Sequence, residues 1–397
     1  MKLIDDITAF QNDLRQIRRD LHSHPELRYE EHRTADAVAG RLQEFGLDVS
    51  RGLAGTGVVG TLRGSLSDRS VGLRADLDAL PLQEHNEFGH RSTHDGVMHA
   101  CGHDGHTAML LGAARYMAAH CDFAGTVHFI FQPAEEGGAG GKRMVDEGLF
   151  EQHPCEAVFG MHNWPGMKVG QFAVCTGSMM ASSNEFEITI NGRGAHAAMP
   201  HNGADPVLVA CQVVQGLQSI ITRNKKPIDS AVLSVTQIYG GDAYNVIPDK
   251  AVIRGTVRTF SVEVLDLIET RMRDITETLP TAFGATGELS FVRNYPPLIN
   301  HPNETKFCQQ VMTNMVGQDN VLNFEPTMGS EDFAFMLLEK PGCYVMIGNG
   351  DGEHREIGHG EGPCTLHNPN YDFNDELLPI GATYWVNLAR AWLDRSE

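Results

Sequence analysis

Residues 98–119 read M-H-A-C-G-H-D-G-H-T-A-M-L-L-G-A-A-R-Y-M-A-A, a polar run followed by an apolar one. The polar run concentrates possible metal ligands within eight positions: His99, Cys101, His103, Asp104 and His106. The apolar-rich run 107–119 predicts a helix that anchors this segment, and Gly102 lets the backbone turn so that Cys101 and His103 can reach one ion. A single cysteine or histidine is usually structural. Four such residues in eight favour a site for a divalent transition metal.

A second group of possible ligands follows an apolar run, in the sequence F-I-F-Q-P-A-E-E-G-G of residues 129–138. The adjacent carboxylates of Glu135 and Glu136 repel one another, and a nearby cation is the usual reason for tolerating such a pair. One carboxylate could bind the metal while the other handles a proton. An exposed acidic turn is the alternative, but the ligand-rich run upstream favours a metal-dependent hydrolase.

Composition limits the classes of protein to which the chain can belong. At 397 residues it is longer than one hydrophobic core usually serves, so we expect two domains. Hydrophobic residues make up 41% and charged residues 21%, as in an ordinary globular protein. The formal net charge of −20 disfavours a nucleic-acid partner, because such binding relies on Lys and Arg neutralising phosphates.

The sequence predicts a cytoplasmic location and no membrane partner. No stretch approaches the roughly 20 apolar residues of a spanning helix, and residues 1–6 lack the hydrophobic stretch of a signal peptide. The eight cysteines are scattered without paired spacing, which predicts reduced thiols rather than a disulfide framework.

The first 180 residues alternate helix-like and strand-like runs, which predicts an α/β domain. Apolar runs at Val71–Leu73, Thr126–Phe131 and Ala157–Met161 are typical of buried strands. Each is followed by polar residues: Asp76 and Asp78, then Glu135 and Glu136, then His162. Because open α/β sheets place ligands at the carboxyl ends of strands, we expect one shared pocket.

The apolar spacing within residues 5–22 predicts a helix at the N-terminus. His22 and His24 fall at its end, where imidazoles can satisfy terminal carbonyls, so we interpret both as structural.

From about residue 184 a different cycle begins. It predicts strand Glu185–Ile190, helix Asp205–Arg223, strands Ala231–Tyr239 and Ala251–Thr259, helix Ser261–Phe283 and strand Glu288–Arg293. This β-α-β-β-α-β order is that of a ferredoxin-like domain. Further on, the pattern predicts helices Glu304–Met315 and Glu331–Leu338, strand Cys343–Ile347 and a closing helix from about Asp375. The predicted fold is therefore an α/β catalytic domain with a mixed central sheet flanked by helices (residues 1–183 and 297–397), interrupted by an inserted ferredoxin-like domain (residues 184–296).

Several longer motifs run nearly end to end through the chain. They are Leu21-His-Ser-His-Pro-Glu-Leu, Arg74-Ala-Asp-Leu-Asp-Ala-Leu-Pro, Met98-His-Ala-Cys-Gly-His-Asp-Gly-His-Thr, Phe131-Gln-Pro-Ala-Glu-Glu-Gly, Gly192-Arg-Gly-Ala-His-Ala-Ala-Met-Pro-His, Asn245-Val-Ile-Pro-Asp, Gly329-Ser-Glu-Asp-Phe and His367-Asn-Pro. With these motifs the chain resembles the metallo-aminoacylase and carboxypeptidase family. The match is to its branch of hippurate hydrolases, N-acyl-L-amino-acid amidohydrolases and auxin-conjugate amidohydrolases.

The resemblance implies a pair of divalent metal ions, zinc foremost, with manganese, cobalt or nickel as alternatives. The implied ligands are Cys101, His103, Glu136, His162 and His367. Glu135 is implied as the general base, and Asp78 stands where the family has an aspartate that orients a metal ligand. The chain departs from other branches at Asp76, which occupies a position where they carry a histidine.

The resemblance also implies a role for the inserted domain as a lid and in dimerisation. In the family, the histidine at the position of His196 reaches the active site of the neighbouring subunit. Asn245 and Arg258 match residues that contact the substrate and grip its carboxylate, and an arginine fork suits a planar carboxylate. We therefore expect a homodimer, or a tetramer, that cleaves the amide bond of small N-acyl amino acids such as hippurate or N-acetyl amino acids.

Other functions fit parts of the pattern. The same scaffold could serve a dipeptidase or another small-peptide hydrolase. Cys101 could be the nucleophile of a thiol amidase with His103 as its base, although the acidic pair would then have no task. The chain could also be a non-catalytic metal-dependent binding protein, but such a protein has no need for a proton-transferring Glu135.

Overall fold

The computed structural model describes residues 1–395 and divides into two compact units. The first unit contains Met1–Gly177, Ile299–Glu325 and the C-terminal stretch from Asp332. The second contains Ser178–Leu298 and Pro326–Glu331. The assignment of catalysis to one unit and of a lid or dimer role to the other stays a prediction.

The strands of the described chain are named here in chain order. They are β1 (Asp48–Leu53), β2 (Gly57–Arg63), β3 (Ser65–Asp76), β4 (Ala124–Gln132), β5 (Ala157–Pro165), β6 (Phe172–Val174), β7 (Gly177–Met180), β8 (Ser183–Asn191), β9 (Ala195–His196), β10 (Ala231–Gly240), β11 (Val246–Ile247), β12 (Lys250–Thr259), β13 (Thr286–Tyr295), β14 (Leu298–Asn300), β15 (Val321–Asn323) and β16 (Gly342–Gly350).

The α-helices are α1 (Asp5–Ala9), α2 (Gln11–Ser23), α3 (His32–Glu44), α4 (His103–Ala119), α5 (Gly140–Asp146), α6 (Leu149–Gln152), α7 (Pro206–Ser219), α8 (Val262–Thr278), α9 (Pro302–Val316), α10 (Ala334–Glu339) and α11 (Leu377–Leu393). A distorted helical turn, Glu135–Gly138, lies between β4 and α5. Within residues 1–395, none of the helices combines the length and the apolar character that crossing a bilayer requires.

The first unit is built on an eight-stranded sheet in the order β1-β2-β4-β3-β5-β16-β6-β15. Strand β3 runs parallel to β4 and β5, whereas β2 is antiparallel to both β1 and β4, so the sheet is mixed as predicted. Asp76 at the end of β3 pairs with Gln132 at the end of β4. The segments that follow β3 and β4 therefore begin side by side. The polar residues after these strands were predicted to lie close together for this reason.

Helix α4 lies at the centre of the first unit, in contact with α2 and α11. Nearly all of its residues are buried, which is typical of a helix that is apolar on all sides. Gly112 permits this packing, because a Cβ atom at that position would lie 2.9 Å from Leu14 Cδ1 and 3.0 Å from Ala382 Cβ. The helix that begins at His103 is thus held rigidly in the core.

The second unit contains a four-stranded antiparallel sheet in the order β10-β12-β8-β13. Alternate residues of β8, among them Phe186, Ile188 and Ile190, are buried in a core that includes residues of α7 and α8. This order and connection are those of a ferredoxin-like β-α-β-β-α-β unit, so the predicted fold class is confirmed. A small pair of strands, β9 and β11, was not predicted.

Two predicted helices differ from the structure. The N-terminal helix is interrupted at Phe10, whose backbone angles (φ −105°, ψ 17°) end α1 and precede α2. The helix predicted from Glu331 begins only at Ala334. None of the eight cysteines, all within the described residues, forms a disulfide, in agreement with the predicted reduced thiols.

Candidate metal centre

Cys101, His103 and His162 converge in the first unit. The Sγ atom of Cys101 lies 3.3 Å from Nε2 of His162, and the ligand atoms of all three residues lie within 4.8 Å of one another. Gly102 makes this possible, because its positive φ of +94° turns the chain sharply into α4 between Cys101 and His103. All three side chains are buried. They could hold one divalent ion.

Both histidines present Nε2 to this cluster. The Nδ1 group of His103 donates to the backbone carbonyl of Asp78 at 2.8 Å, and that of His162 donates to the carbonyl of Asn163 at 2.7 Å. A carbonyl only accepts, so Nδ1 carries the proton in each ring and Nε2 keeps its lone pair when the ring is neutral. Within residues 1–395, the buried Nε2 of His103 makes no hydrogen bond. This is how histidine ligands are held in metal sites.

The acidic pair and His367 extend the cluster. His367 Nε2 lies 3.1 Å from Glu136 Oε1, and these two residues form a second group of ligand atoms with Cys101. Glu135 and Glu136 form a further group with His103. His367 has a positive φ of +57°, a conformation that residues other than glycine seldom adopt. The five ligands predicted from the resemblance therefore lie in overlapping groups.

The electrostatics of the cluster favour a cation. Burial and the carboxylates of Glu136 and Glu135 raise the pKa of the Cys101 thiol well above its usual range. Although burial lowers it, the charge of Asp76 and the hydrogen bond with Asp78 raise the pKa of His103 to about 10. Surrounding negative charge contributes to both shifts, and a divalent cation would offset it, leaving the thiolate, imidazole and carboxylate groups that bind zinc and similar metals.

Asp78 connects the ligand His103 to the acidic pair. Its carboxylate oxygens accept the backbone N–H groups of Glu135 at 3.1 Å and Glu136 at 2.9 Å. The Nδ1 atom of His103 lies 3.3 Å from the same carboxylate. The Asp78 carboxylate therefore contacts both the His103 ring and the backbone of the acidic pair.

Asp76 and His106 also lie near His103, within reach of a single ion. Their ligand atoms already have partners, however. Asp76 accepts from Arg74 Nη1 at 2.8 Å and from His106 Nδ1 at 2.7 Å, and His106 Nε2 accepts the backbone N–H of Asn163 at 3.0 Å. Despite burial, the nearby His103, His106 and Arg74 hold the pKa of Asp76 well below its usual range. We interpret Asp76 and His106 as supports of the centre.

Two residues that were not predicted from the sequence, Asn163 and Tyr371, hold the backbone of the segment that carries Cys101 and His103. Asn163 Nδ2 donates to the carbonyl of Cys101 at 2.7 Å, and Tyr371 donates through its hydroxyl to Asn163 Oδ1 at 2.9 Å. The sequence signal that could have identified them was their position in the motifs that contain His162 and His367. Hydrogen bonds to backbone groups leave no residue pattern from which to predict them.

His22 lies in the last turn of α2 as predicted, but the expectation that it satisfies a terminal carbonyl is wrong. His22 is fully buried, with Nδ1 2.8 Å from Asp104 and Nε2 3.3 Å from Glu84. Although burial opposes it, these carboxylates raise the pKa of His22 to about 10. His24 does bind a helix carbonyl, that of Asp20, at 2.8 Å. The two histidines therefore differ because only the side of α2 that carries His22 faces buried carboxylates.

The three predicted substrate contacts belong to the second unit. His196 in β9 pairs with Val246 in β11, and Asn245 accepts the N–H of Ala197 through its backbone carbonyl at 3.0 Å. Arg258 lies in β12 and is half-buried. The roles of these residues stay predictions.

Comparison with known proteins identifies the family to which the chain belongs. The family described as peptidase family M20/M25/M40 matches residues 72–391. The chain belongs to this family. This membership confirms the resemblance seen in the motifs and, with it, the prediction of an enzyme that hydrolyses amide bonds.

The similarity to individual members covers almost the whole chain. A hippurate hydrolase of Campylobacter jejuni is 40% identical over 396 residues, which are 99% of this chain and all of the relative. An N-acetyl-L-cysteine deacetylase of Bacillus subtilis is 38% identical, covering 98% of this chain and 91% of the relative. The crystal structure of the B. subtilis YxeP protein, described as a dinuclear metal-binding peptidase of the M20 family, superposes with a TM-score of 0.85 at 33% identity, over 98% of this chain and 99% of that one.

The geometry argues against the thiol-amidase alternative. That alternative pairs Cys101 with His103, but Cys101 Sγ is hydrogen-bonded to His162. A nucleophilic cysteine needs a lowered pKa, whereas burial, together with the carboxylates of Glu136 and Glu135, raises the pKa of Cys101. The thiol is placed as a metal ligand would be.

Proposed function

We propose that the protein is a metal-dependent amidohydrolase that cleaves N-acyl amino acids to a carboxylic acid and a free amino acid. The observation that carries this proposal is the convergence of Cys101, His103 and His162 beside the acidic pair Glu135 and Glu136. The similarity to a hippurate hydrolase and an N-acetylcysteine deacetylase supports acyl amino acids as substrates.

We propose two metal ions in each subunit. Cys101, His103 and His162 would hold one ion, and the overlapping group of Cys101, Glu136 and His367 would hold a second, which supports this count. The dinuclear description of the related YxeP protein supports this count. The mixture of sulfur, nitrogen and oxygen ligands favours zinc, and manganese, cobalt or nickel also fit.

The chemistry divides between the cations and the protein. A bound divalent cation lowers the pKa of water from about 16 towards about 7 and polarises a carbonyl oxygen. Glu135 takes the proton of the attacking water and passes it to the departing amine. The Asp78 carboxylate accepts the backbone N–H of Glu135 at 3.1 Å, and this hydrogen bond holds the base beside the ligand Glu136. The His103 and His162 rings are held through Nδ1, so Nε2 cannot turn away.

The second unit supplies the substrate contacts in this proposal. Following the family resemblance, His196 donates to the oxygen that gains negative charge, and Asn245 and Arg258 bind the substrate. Arg258 is suited to a carboxylate, because its hydrogen bonds among residues 1–395 go to uncharged groups, although the charge of Glu185 also acts on it. Its contacts are with Thr256 Oγ1 at 3.0 Å and the carbonyl of Val257 at 3.4 Å.

We further propose a homodimer, or a tetramer, assembled through the second unit, with His196 acting in the partner's site. Mixed dimers test this directly. In a dimer of His196→Ala with Glu135→Gln subunits, one site would receive an intact His196 from its partner and keep an intact Glu135. Activity recovered on mixing two inactive variants supports the proposal. Activity that stays absent, or a fully active monomer at limiting dilution, contradicts it. The cytoplasmic location stays a prediction.

A panel of substrates and metals tests the proposed activity. Metal-stripped protein is refilled with zinc, manganese, cobalt or nickel and assayed with benzoyl, acetyl and indole-acetyl amino acids, and with dipeptides that have a free amino group. We expect metal-restored hydrolysis of N-acyl amino acids and poor hydrolysis of dipeptides. A preference for dipeptides would instead favour a small-peptide hydrolase, and binding without turnover would favour a binding protein.

A further inference from the structure

Residues 28–31, called here the clamp segment, contact the turn that carries Glu135 and Glu136 at three points. Arg28 Nη1 donates to the carbonyl of Glu136 at 2.8 Å, and the Tyr29 hydroxyl donates to the carbonyl of Gly138 at 2.6 Å. Glu31 Oε1 accepts the backbone N–H of Ala134 at 2.9 Å. One short stretch near the N-terminus thus contacts the start, middle and end of residues 134–138.

The turn has a backbone that needs such support. Ala134, immediately before Glu135, has a positive φ of +55°, and Ala139 has a φ of +54°. Residues with a Cβ atom seldom adopt this left-handed conformation, and it persists only where the surroundings hold it. Because Ala134 directly precedes the proposed base, its conformation sets where the Glu135 side chain begins.

Glu31 binds two left-handed residues through a single oxygen. Its Oε1 accepts the N–H of Ala134 and also the N–H of Tyr29, each at 2.9 Å, and Tyr29 has a φ of +65°. The other oxygen, Oε2, accepts from the Thr56 hydroxyl at 2.5 Å. The carboxylate therefore joins the clamp segment to the turn at the residue before Glu135.

The position of Glu31 is costly to maintain. The residue has no solvent exposure, and among residues 1–395 no Lys, Arg or His lies within ion-pair distance of its carboxylate. A buried carboxylate without a cation is unfavourable unless its hydrogen bonds compensate. The donors to Glu31 are the Thr56 hydroxyl and the two backbone N–H groups of left-handed residues. Because the buried Glu31 carboxylate binds the backbone of both Tyr29 and Ala134, it is suited to fixing the turn.

The glycines of the turn fit the same interpretation. A Cβ atom on Gly137 would lie 2.6 Å from Arg28 Nη1, and one on Gly138 would lie 3.1 Å from Tyr29 Cε2. The Gly138 Cβ atom would also lie 2.7 Å from Ala134 Cβ, so a larger residue there would disturb both the turn and its contact with Tyr29.

We propose that Glu31, together with Tyr29 and Arg28, is a positioning residue that holds Glu135 and Glu136 in the geometry needed for hydrolysis. This inference rests on the proposed function of the acidic pair. It adds to that function a contact from the N-terminal region, separate from the two hydrogen bonds that Asp78 makes to Glu135 and Glu136.

Three variants test the inference. Glu31→Ala removes both backbone contacts, Glu31→Gln keeps one acceptor oxygen for them, and Tyr29→Phe removes only the contact with Gly138. We expect Glu31→Ala to lower kcat by about 100-fold with KM within about threefold, because small displacements of catalytic groups and loss of their supports have effects of this size. Glu31→Gln should recover kcat to within about fivefold of the unchanged protein, and Tyr29→Phe should lower it about threefold.

The chain offers matched controls. Asp205 Oδ1 also accepts two backbone N–H groups, those of Val207 at 2.9 Å and Leu208 at 3.3 Å, but it belongs to the second unit and, among the described residues, has no hydrogen bond with residues 134–138. Asp205→Ala therefore removes a carboxylate from two backbone groups without touching the turn or the clamp segment, and kcat should stay within about twofold. Tyr384→Phe, in the core of the first unit, removes a buried hydroxyl away from the turn and is the control for Tyr29→Phe.

A spectroscopic measurement separates this inference from the proposed activity. The visible absorption bands of the protein loaded with Co²⁺ report the ligands around the ion without any turnover. We expect Glu31→Ala and Tyr29→Phe to change these bands, because Glu136 moves with the turn, and we expect both controls to keep them. If no N-acyl amino acid is hydrolysed, the proposed activity fails while the bands still test Glu31. Unchanged bands and unchanged kcat in Tyr29→Phe and in folded Glu31→Ala would overturn the inference. If Glu31→Ala does not fold, unchanged bands and kcat in Tyr29→Phe alone would overturn it.

Discussion

The Nδ1 atom of His103 lies 2.8 Å from the backbone carbonyl of Asp78 and 3.3 Å from its carboxylate, with both side chains buried. The same carboxylate accepts the N–H groups of Glu135 and Glu136. One aspartate therefore connects the helix that begins at a proposed ligand to the turn that carries the proposed base. The separation between these groups is fixed by Asp78, so a change at this residue should affect metal binding and catalysis together.

Replacing Asp78 by asparagine tests this connection. An asparagine has one acceptor oxygen, so the N–H of either Glu135 or Glu136 loses its partner. We expect kcat/KM and metal affinity to fall by about 10- to 100-fold each, as for other residues that support metal ligands. Steady-state kinetics and metal titration measure the two effects. Asp13→Asn, an exposed aspartate that pairs with Arg115, is the control. A loss of activity at Asp78→Asn with full metal affinity would show that the two functions are not connected.

Gly102 should tolerate no side chain. A Cβ atom there would lie 2.3 Å from Asn163 Nδ2 and 2.5 Å from the Tyr371 hydroxyl, and its φ is +94°. We expect Gly102→Ala to lower the free energy of unfolding by about 3 kcal/mol, from overpacking and an unfavourable backbone together. Bound metal should fall as well, since both neighbours position the Cys101 segment.

Gly96 provides the matched control for this prediction. Its φ of +76° is also positive, but a Cβ atom there would have nothing within 4 Å. Gly96→Ala should therefore cost only about 1 kcal/mol. Denaturant unfolding of both variants measures the difference, and equal losses would show that the contacts around Gly102 are unimportant.

Arg18 should contribute strongly to stability. Its guanidinium is buried and lies 2.7 Å from Asp375 and 2.9 Å from Asp372. Although burial opposes it, Arg18 holds the pKa of Asp372 below its usual range. Arg18→Leu leaves these carboxylates without their buried cation, so we expect a loss of about 3 to 5 kcal/mol in the free energy of unfolding.

The neighbouring Arg19 is the control, because it also pairs with Asp375 but is partly exposed. Arg19→Leu should cost about 1 kcal/mol or less. If both variants lose the same stability in urea, the burial of Arg18 does not decide its effect.

The stability that a neutral His128 contributes should be lost as the pH falls from about 6.5 to about 4. Burial, with the nearby His153, lowers the pKa of His128 to about 4, and Thr61 Oγ1 lies 3.0 Å from His128 Nδ1. The unfolded chain takes up this proton near pH 6.5, so the stabilising effect of a neutral His128 is complete above that pH and is lost on acidification. Between pH 7 and pH 5 the expected loss is about 2 kcal/mol.

His128→Gln should reduce this pH dependence, and the exposed histidine variant His359→Gln should not. Thermal unfolding at pH 7 and pH 5 measures the effect. An unchanged drop in Tm for His128→Gln would contradict the assignment.

The sequence predicted those parts of the structure that short-range patterns determine. Cys101 and His103 lie two positions apart, and apolar runs marked β3, β4 and β5, so both the ligands and the sheet that carries them could be inferred. The ferredoxin-like unit was predictable because its strands alternate and its helices are amphipathic. The break at Phe10 was not, since apolar spacing continues through it.

The supports of the site could not be predicted in the same way. Glu31 and Ala134 are 103 positions apart, and their contact joins a side chain to a backbone N–H, which any residue except proline possesses. His22 lacked a pattern that would distinguish it from His24, because its partner Asp104 lies 82 positions away. The left-handed conformations of Ala134 and Tyr29 are equally invisible, since glycine is the residue that signals such a backbone.

Metal content and turnover of Glu135→Gln together show whether bound metal and the Glu135 carboxylate are both needed for hydrolysis. Elemental analysis of the freshly purified protein and of the variant gives bound metal per subunit, and kcat is measured for the best N-acyl amino acid. We predict equal metal in both proteins and a kcat that is lower by about 10²- to 10⁴-fold in the variant, because Glu135 transfers a proton. Unchanged turnover in the variant, or active protein without bound metal, would contradict the account.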